Sequence, residues 1–181
     1  RKKYPQNTGE EEFHYFLSVL FPDDELMIMD YNRVIRDLNG YSFQSFLHEV
    51  KVRFDVTEVT DEEEKRPKER GSFAMYLKGH WFLCRIRQED RKPHDPVGDL
   101  DVSILQERLL APVLGITEPK TDSRIDFVGG IRGIKELVRR CEDDCAVAFA
   151  MYPTAIGELC AVADAGLLMP PKSTWFEPKL R

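Results

Sequence analysis

The sequence predicts an α+β protein in which antiparallel hairpins precede a C-terminal β-α-β-α segment. Three observations carry this reading. Within "SFAMYLKGHWFLCRI" two apolar-rich arms meet at Lys78-Gly79, where a glycine relieves the backbone of a tight hairpin turn. In "LNGYSFQSFLHEVKVRF" the residues Phe43, Phe46, Leu47 and Val50 recur at helical spacing, which places them on one face. In the last third, short apolar runs alternate with amphipathic stretches, as strands alternate with helices in an α/β unit.

The elements follow in order. "FHYFLSVLFP" (Phe13 to Pro22) is rich in aromatic and β-branched residues, "PDDE" supplies turn chemistry, and "LMIMDY" resumes an apolar run, which together predict a first hairpin. Ser42 can cap a helix that extends to Arg53, and "FDVTEV" returns as a strand. Asp61 to Arg70, "DEEEKRPKER", is almost wholly charged and is expected to be a mobile, solvated loop. The Lys78-Gly79 hairpin comes next. "RQEDRKPHDPVGD", with Pro93 and Pro96, is a connection that divides one compact unit into a hairpin-rich subregion, 1–92, and a C-terminal α/β subregion, 93–181. Asp101 is expected to cap a helix whose face holds Val102, Leu105, Leu109 and Leu110, ended by the stretch from Pro112 to Gly115. "RIDFVGG" then forms a strand, "IRGIKELVRRCE" a helix burying Ile131, Ile134, Leu137 and Val138, and "CAVAFAMY" a buried strand. "PTAIGELCAVADAG" makes a last helix between Thr154 as N-cap and Gly166 at its C-terminus.

Composition narrows the function classes. Apolar residues at 42% and charged residues at 32% have the balance of a globular protein. A net charge of −6 without a basic stripe argues against nucleic acid as a partner, and no apolar run is long enough to span a bilayer. Four cysteines without a Cys-x-x-Cys pair suggest reduced thiols and a cytoplasmic protein. Cys141 and Cys145 lack the clustered histidines that would complete a zinc site, so no metal site is expected. The chain starts with Arg and lacks the apolar core of a signal peptide, which suggests part of a longer protein.

Candidate ligand residues fall in three stretches. In "MPPKSTWFEPKLR", Pro170 and Pro171 stiffen a loop that could hold Lys172, Ser173, Thr174 and Lys179 against an anion. Its alternative is a covering strap in which Trp175 and Phe176 plug an apolar gap. Gly129 and Gly130 sit where a strand hands over to a helix, so free backbone N–H groups could meet a phosphate or carboxylate; glycines also simply make tight turns, and the pattern alone favours the turn. Asp126 beside them could orient a hydroxyl or metal, or be a surface carboxylate. In "DYNRV", Asn32 and Arg33 could bind a polar ligand at a strand end, or Arg33 could pair with a nearby acid. Ser103 has no neighbouring histidine, so it is weak as a nucleophile.

The strings "DYNRV", "LDVSILQ", "RIDFVGG", "FAMYPT", "VADAG" and above all "MPPKSTWFEPKL" resemble those of a family of bacterial and archaeal proteins labelled domain of unknown function 1015, in the family's order. Members are longer, and their N-terminal part carries an Asp-Gly-His-His-Arg segment similar to that of ParB and sulfiredoxin-like proteins, whose distant relatives include nucleotide-dependent kinases of free serine. His14, His48, His80 and His94 are isolated here, so nothing of that motif transfers. The resemblance implies a C-terminal part of a nucleotide-dependent small-molecule kinase, using ATP or ADP with magnesium and contributing contacts to a phosphate- or carboxylate-bearing ligand alongside the protein's own N-terminal part. The alternative is a non-catalytic module that senses a small metabolite.

Overall fold

The computed structural model describes residues 10–20, 22 and 25–177. Its centre is a sheet of six strands, all paired antiparallel: β2 (Tyr31–Ile35), β3 (Asp55–Val59), β4 (Ser72–Leu77), β5 (His80–Arg85), β6 (Ile125–Gly129) and β7 (Val147–Met151), in the order β3-β5-β4-β7-β2-β6. Two further short strands, β1 (Met27–Met29) and β8 (Trp175–Glu177), pair with each other. Strands from both halves of the chain thus share one sheet.

The central strands alternate strictly. Phe73, Met75 and Leu77 of β4 and Val147, Phe149 and Met151 of β7 face one core, which also holds Phe46 and Val50 of α1 (Phe43–Arg53), Leu105 of α2 (Asp101–Leu105), Leu109, Leu114 and Val162 of α4 (Ile156–Asp164). Ala74, Tyr76, Ala148 and Ala150 face a second core against Leu137 of α3 (Gly133–Asp143). Both faces are covered, and β4 and β7 are correspondingly apolar along their whole length.

Local chemistry explains several elements. Ser42 accepts from the Ser45 amide at 3.2 Å while the Ser45 hydroxyl accepts from the Ser42 amide at 2.9 Å, a reciprocal cap that satisfies two orphan donors at the start of α1. Lys78 (φ 47°) and Gly79 (φ 88°) both take left-handed backbone, as a two-residue hairpin turn matched to strand twist requires. Beyond α4, Gly166 adopts φ 67° and its amide bonds the Ala163 carbonyl, while the Leu167 amide bonds that of Val162, which satisfies two carbonyls of the last turn.

Other expectations are corrected. The stretch Phe13–Leu20 forms no strand: Glu12–His14 is a 3₁₀ turn, and Phe16 and Leu17 are 87% and 92% exposed. The strand partner that a first hairpin would have supplied to β1 is β8, from the other end of the chain. Asp101 is the first residue of α2 and caps nothing; its carboxylate instead accepts from the Gly71 amide at 2.7 Å and from Arg91 at 2.8 Å. After five residues α2 widens into a π-helix, Gln106–Leu110. α4 starts one residue later than expected, with Ala155 as N-cap; Glu158 accepts from the Ala155 amide, and the Thr154 hydroxyl turns to the Ser173 carbonyl. Ile131 lies in the turn before α3 and is exposed, because Gly133 (φ 69°) breaks the register between them. The charged stretch is anchored at its end, where Arg70 reaches both Asp99 and Glu158.

Arg91 holds the connection to the sheet. It reaches Asp99 at 2.9 Å and Asp101 at 2.8 Å, and all three side chains are largely buried. Burial pushes the Asp101 carboxyl above the ordinary carboxylate range, against the lowering effect of the Gly71 amide and Arg91. Removing one partner of a buried pair leaves an uncompensated charge, so Arg91→Ala should cost about 3–5 kcal/mol. A folded-state carboxyl with a raised pKa binds protons more tightly than the unfolded one, so its contribution to stability falls as pH rises through the raised value. The deficit of Arg91→Ala is therefore largest near neutral pH and shrinks on acidification. Urea unfolding of both proteins across that range measures it.

Candidate functional site

β6 and β7 each pair antiparallel with β2, which lies between them. They therefore run parallel to each other, joined through α3 as a split crossover. Their C-terminal ends, the start of β2 and the N-terminus of α3 meet at one edge of the sheet, the edge at which ligands collect in crossover units.

A cavity of about 400 Å³ opens there, lined by Asp30, Arg66, Lys68, Gly130, Gly133 and Tyr152 among others. Three bonds tie its floor together. The Gly130 amide donates to the Asp30 carbonyl at 2.8 Å, the Asn32 side-chain amide donates to the Asp30 carboxylate, and the Met151 amide donates to Asn32 Oδ1 at 2.9 Å. Asn32 is buried and crosses from β2 to the end of β7. A Cβ on Gly130 would fall 2.0 Å from Asp30 Oδ1, so the carboxylate can approach that backbone only because the residue is glycine.

The electrostatics favour an anion with a cation beside it. No side chain caps α3; the Gly133 amide bonds the Gly130 carbonyl, and the helix dipole leaves partial positive charge at this end. The Arg66 guanidinium lies above Gly133, 3.5 Å from where a Cβ would sit, and pairs with no acid among the described residues. Lys68 makes only a long 3.8 Å pair with Glu63. Asp30 is the carboxylate in this setting. Among the described residues no three His, Cys, Asp or Glu side chains cluster to cage a metal; one carboxylate suits magnesium, which keeps its waters and is shared with phosphates.

The sequence-derived residues divide between this edge and its surroundings. Gly130 lines the cavity, and Asn32 lies behind its wall, bonded to the lining residues Asp30 and Met151. Gly129 faces the other side of the sheet, where a Cβ would meet the Trp175 ring at 2.6 Å; Trp175 also packs edge-on against Tyr31, ring centroids 5.4 Å apart. The proline-stiffened loop thus lies next to the glycine turn, but it covers Gly129 on that face. Lys172 takes left-handed backbone (φ 57°) and sets its Nζ 5.6 Å from the Tyr31 ring centre. Ser173 is buried and spends its hydroxyl on the Pro170 carbonyl at 2.8 Å, while Thr174 is half-buried beside it. Lys179 lies outside the described residues. Arg33 is buried on the face opposite Asn32. Asp126, near the start of β6, is exposed and binds Arg140 at 2.7 Å; against a partial loss of solvent, this bond and the Phe127 amide hold its carboxyl below the ordinary range. It stands apart from the glycine turn. Cys141 and Cys145 are pushed up to about 12 and about 11, chiefly by burial, so both stay protonated at neutral pH.

Asp30, Arg66 and Lys68 were missed from the sequence. Asp30 belongs to the same "DYNRV" string as Asn32, and its signal was a carboxylate one residue before a strand. Arg66 and Lys68 were hidden in a charged run, where Pro67 between two cations was the available hint of order.

This is an antiparallel α+β protein with a cavity at one edge of its sheet. It belongs to the family described as Protein of unknown function (DUF1015), whose sequence model matches residues 1–103. No curated protein matches it. Among solved structures it is similar to a free serine kinase in complex with AMP, at 15% identity and a TM-score of 0.50 over 84% of this chain and 54% of the other. It is similar to a mutant of a free serine kinase in complex with ADP at 14% and 0.50, over 84% and 54%. A conserved hypothetical protein from Pyrococcus furiosus aligns at 14% and 0.50, over 84% and 56%. The likeness is one of fold, and the chain spans about half the length of these structures.

The fit of Trp175 on Gly129 gives a prediction. Gly129→Ala must displace the indole, and overpacking of this kind costs about 1–3 kcal/mol. Lower thermal stability together with a red shift of tryptophan emission is expected; an unchanged spectrum would mean that the ring does not cover Gly129 in solution.

Proposed function

We propose that this chain supplies the anion and substrate contacts of a nucleotide-dependent, kinase-like enzyme that acts on a small amino-acid-type molecule, related at superfamily distance to ParB-like proteins. The observation that carries the reading is the sheet-edge cavity, which Asp30, Arg66 and the start of α3, capped by no side chain, line together. ATP or ADP would place its phosphates against the α3 amides, Arg66 and Lys68. Magnesium would be held by Asp30 and the phosphates, where it offsets charge on the transferring group. Asn32 fixes the Asp30 carboxylate, and Gly130 lets it come close. The fold shared with AMP- and ADP-bound free serine kinases supports the same class of ligand.

None of His48, His80 and His94 lines the cavity, and a proton acceptor near the substrate hydroxyl is required for transfer. In this reading that acceptor comes from residues beyond this chain, so the chain binds nucleotide without turning it over.

Calorimetric titration with ADP and magnesium tests the assignment. A charge-assisted hydrogen bond contributes about 1.5–3 kcal/mol, so Arg66→Ala should weaken binding at least tenfold. Asp30→Asn should weaken it mainly when magnesium is present. Equal affinities in the parent and both variants would reject the site.

A further inference from the structure

Arg33 is a buried cation that no acid neutralises among the described residues. Its residue is 4% exposed, its guanidinium stacks 5.6 Å from the centre of the Phe127 ring, and no carboxylate pairs with it among the described residues. Its hydrogen bonds run to backbone carbonyls only, those of Tyr31 and, at 3.1 Å, Lys172. A guanidinium has five N–H donors, so two carbonyls leave most of that capacity unused. Burial pushes the group down to about 10, which leaves it cationic at neutral pH. Isolated buried charge is costly.

Arg33 borders a cavity of about 220 Å³ whose other walls include Ser103, Phe127, Leu110, Pro170 and Pro171. Ser103 is 8% exposed; its hydroxyl makes no hydrogen bond within the described residues and reaches the cavity. Gln106, also in the wall, is already committed to the Ile116 carbonyl at 2.6 Å. Two buried polar groups on different elements, β2 and α2, thus border one apolar-walled space with donors unspent.

We propose that Arg33 and Ser103 form a second ligand site, on the face of the sheet opposite the Asp30 cavity, that takes the carboxylate of a small organic acid. The planar guanidinium fork matches a carboxylate in two parallel bonds. Ser103 supplies a third, and the prolines and Phe127 cover the carbon chain. Glu107, paired with Lys92, and Glu118, with no basic partner among the described residues, also line the cavity, so the wall disfavours a phosphate dianion more than a carboxylate monoanion. A cavity of about 150 Å³ holds a benzene-sized molecule, and this one has room for an acid of about three to five carbons. The site is independent of the nucleotide reading, because it shares no side chain with it.

The test uses the whole chain labelled with ¹³C at the arginine guanidinium carbons, titrated with propionate, propionamide and inorganic phosphate. Propionate should shift one arginine resonance saturably, and that resonance should be absent in Arg33→Met. Propionamide and phosphate should leave it in place. Ser103→Val fills the cavity and removes the hydroxyl, so it should weaken propionate at least tenfold with thermal stability retained. If Arg33→Met does not fold, Ser103→Val decides alone. Absence of a saturable propionate shift, undiminished affinity in Ser103→Val, or equal binding of phosphate overturns the proposal. None of these outcomes bears on ADP binding at Arg66.

Discussion

β2 is hydrogen-bonded on both sides, to β6 and to β7, and both pairings are antiparallel. A strand in that position fixes the direction of its neighbours, so the two strands of the C-terminal segment must run alike and must end together beside the start of β2. The crossover through α3 then brings a helix N-terminus to the same edge. Asp30, Asn32, Gly130 and Gly133 converge because of this one pairing, although they come from opposite ends of the sequence. Strand alternation does the rest: Asn32 and Arg33 are consecutive and so face opposite sides of the sheet. Asn32 lies under the edge cavity on the side of the second core, and Arg33 lies on the side of the first, beside Phe127.

The chain handles buried charge in two ways. Around the connection, Arg91 is matched by Asp99 and Asp101, with Arg70 reaching in from the charged stretch. Every cation has its acid, and the group fastens the connection to the start of β4 through the Gly71 amide. At Arg33 the cation is bonded to carbonyls and stacked on an aromatic ring, with no acid among the described residues. The first arrangement is a structural joint. The second keeps a charge available in an apolar setting, where a ligand gains more from it than in water.

The closing strap joins both regions. Its carbonyls accept from Arg33 at Lys172 and from Thr154 at Ser173, and its indole lies on Gly129. The backbone of the strap thus serves as acceptor for buried donors. Lys172 sits over Tyr31 at the rim between the two faces.

The sequence by itself determined the elements whose signals are local. The reciprocal Ser42–Ser45 cap, the left-handed Lys78-Gly79 turn and Gly166 after α4 each act within a few residues, and each lies where its residues place it. The full burial of β7 was legible as the continuous apolar run "CAVAFAMY". Tertiary structure alone decided the partners. Phe13–Leu20 has strand composition and no strand, since composition does not create a free sheet edge. Asp101 has the residue type of a helix cap, yet a buried arginine and an amide 30 residues away claim it. Arg66 looked solvated because a charged run has no periodicity that would reveal which cation stands over a glycine. The bond from Met151 to Asn32 spans 119 residues. Such pairings follow from which strands share a ladder, and that is a property of the assembled sheet which no local pattern records.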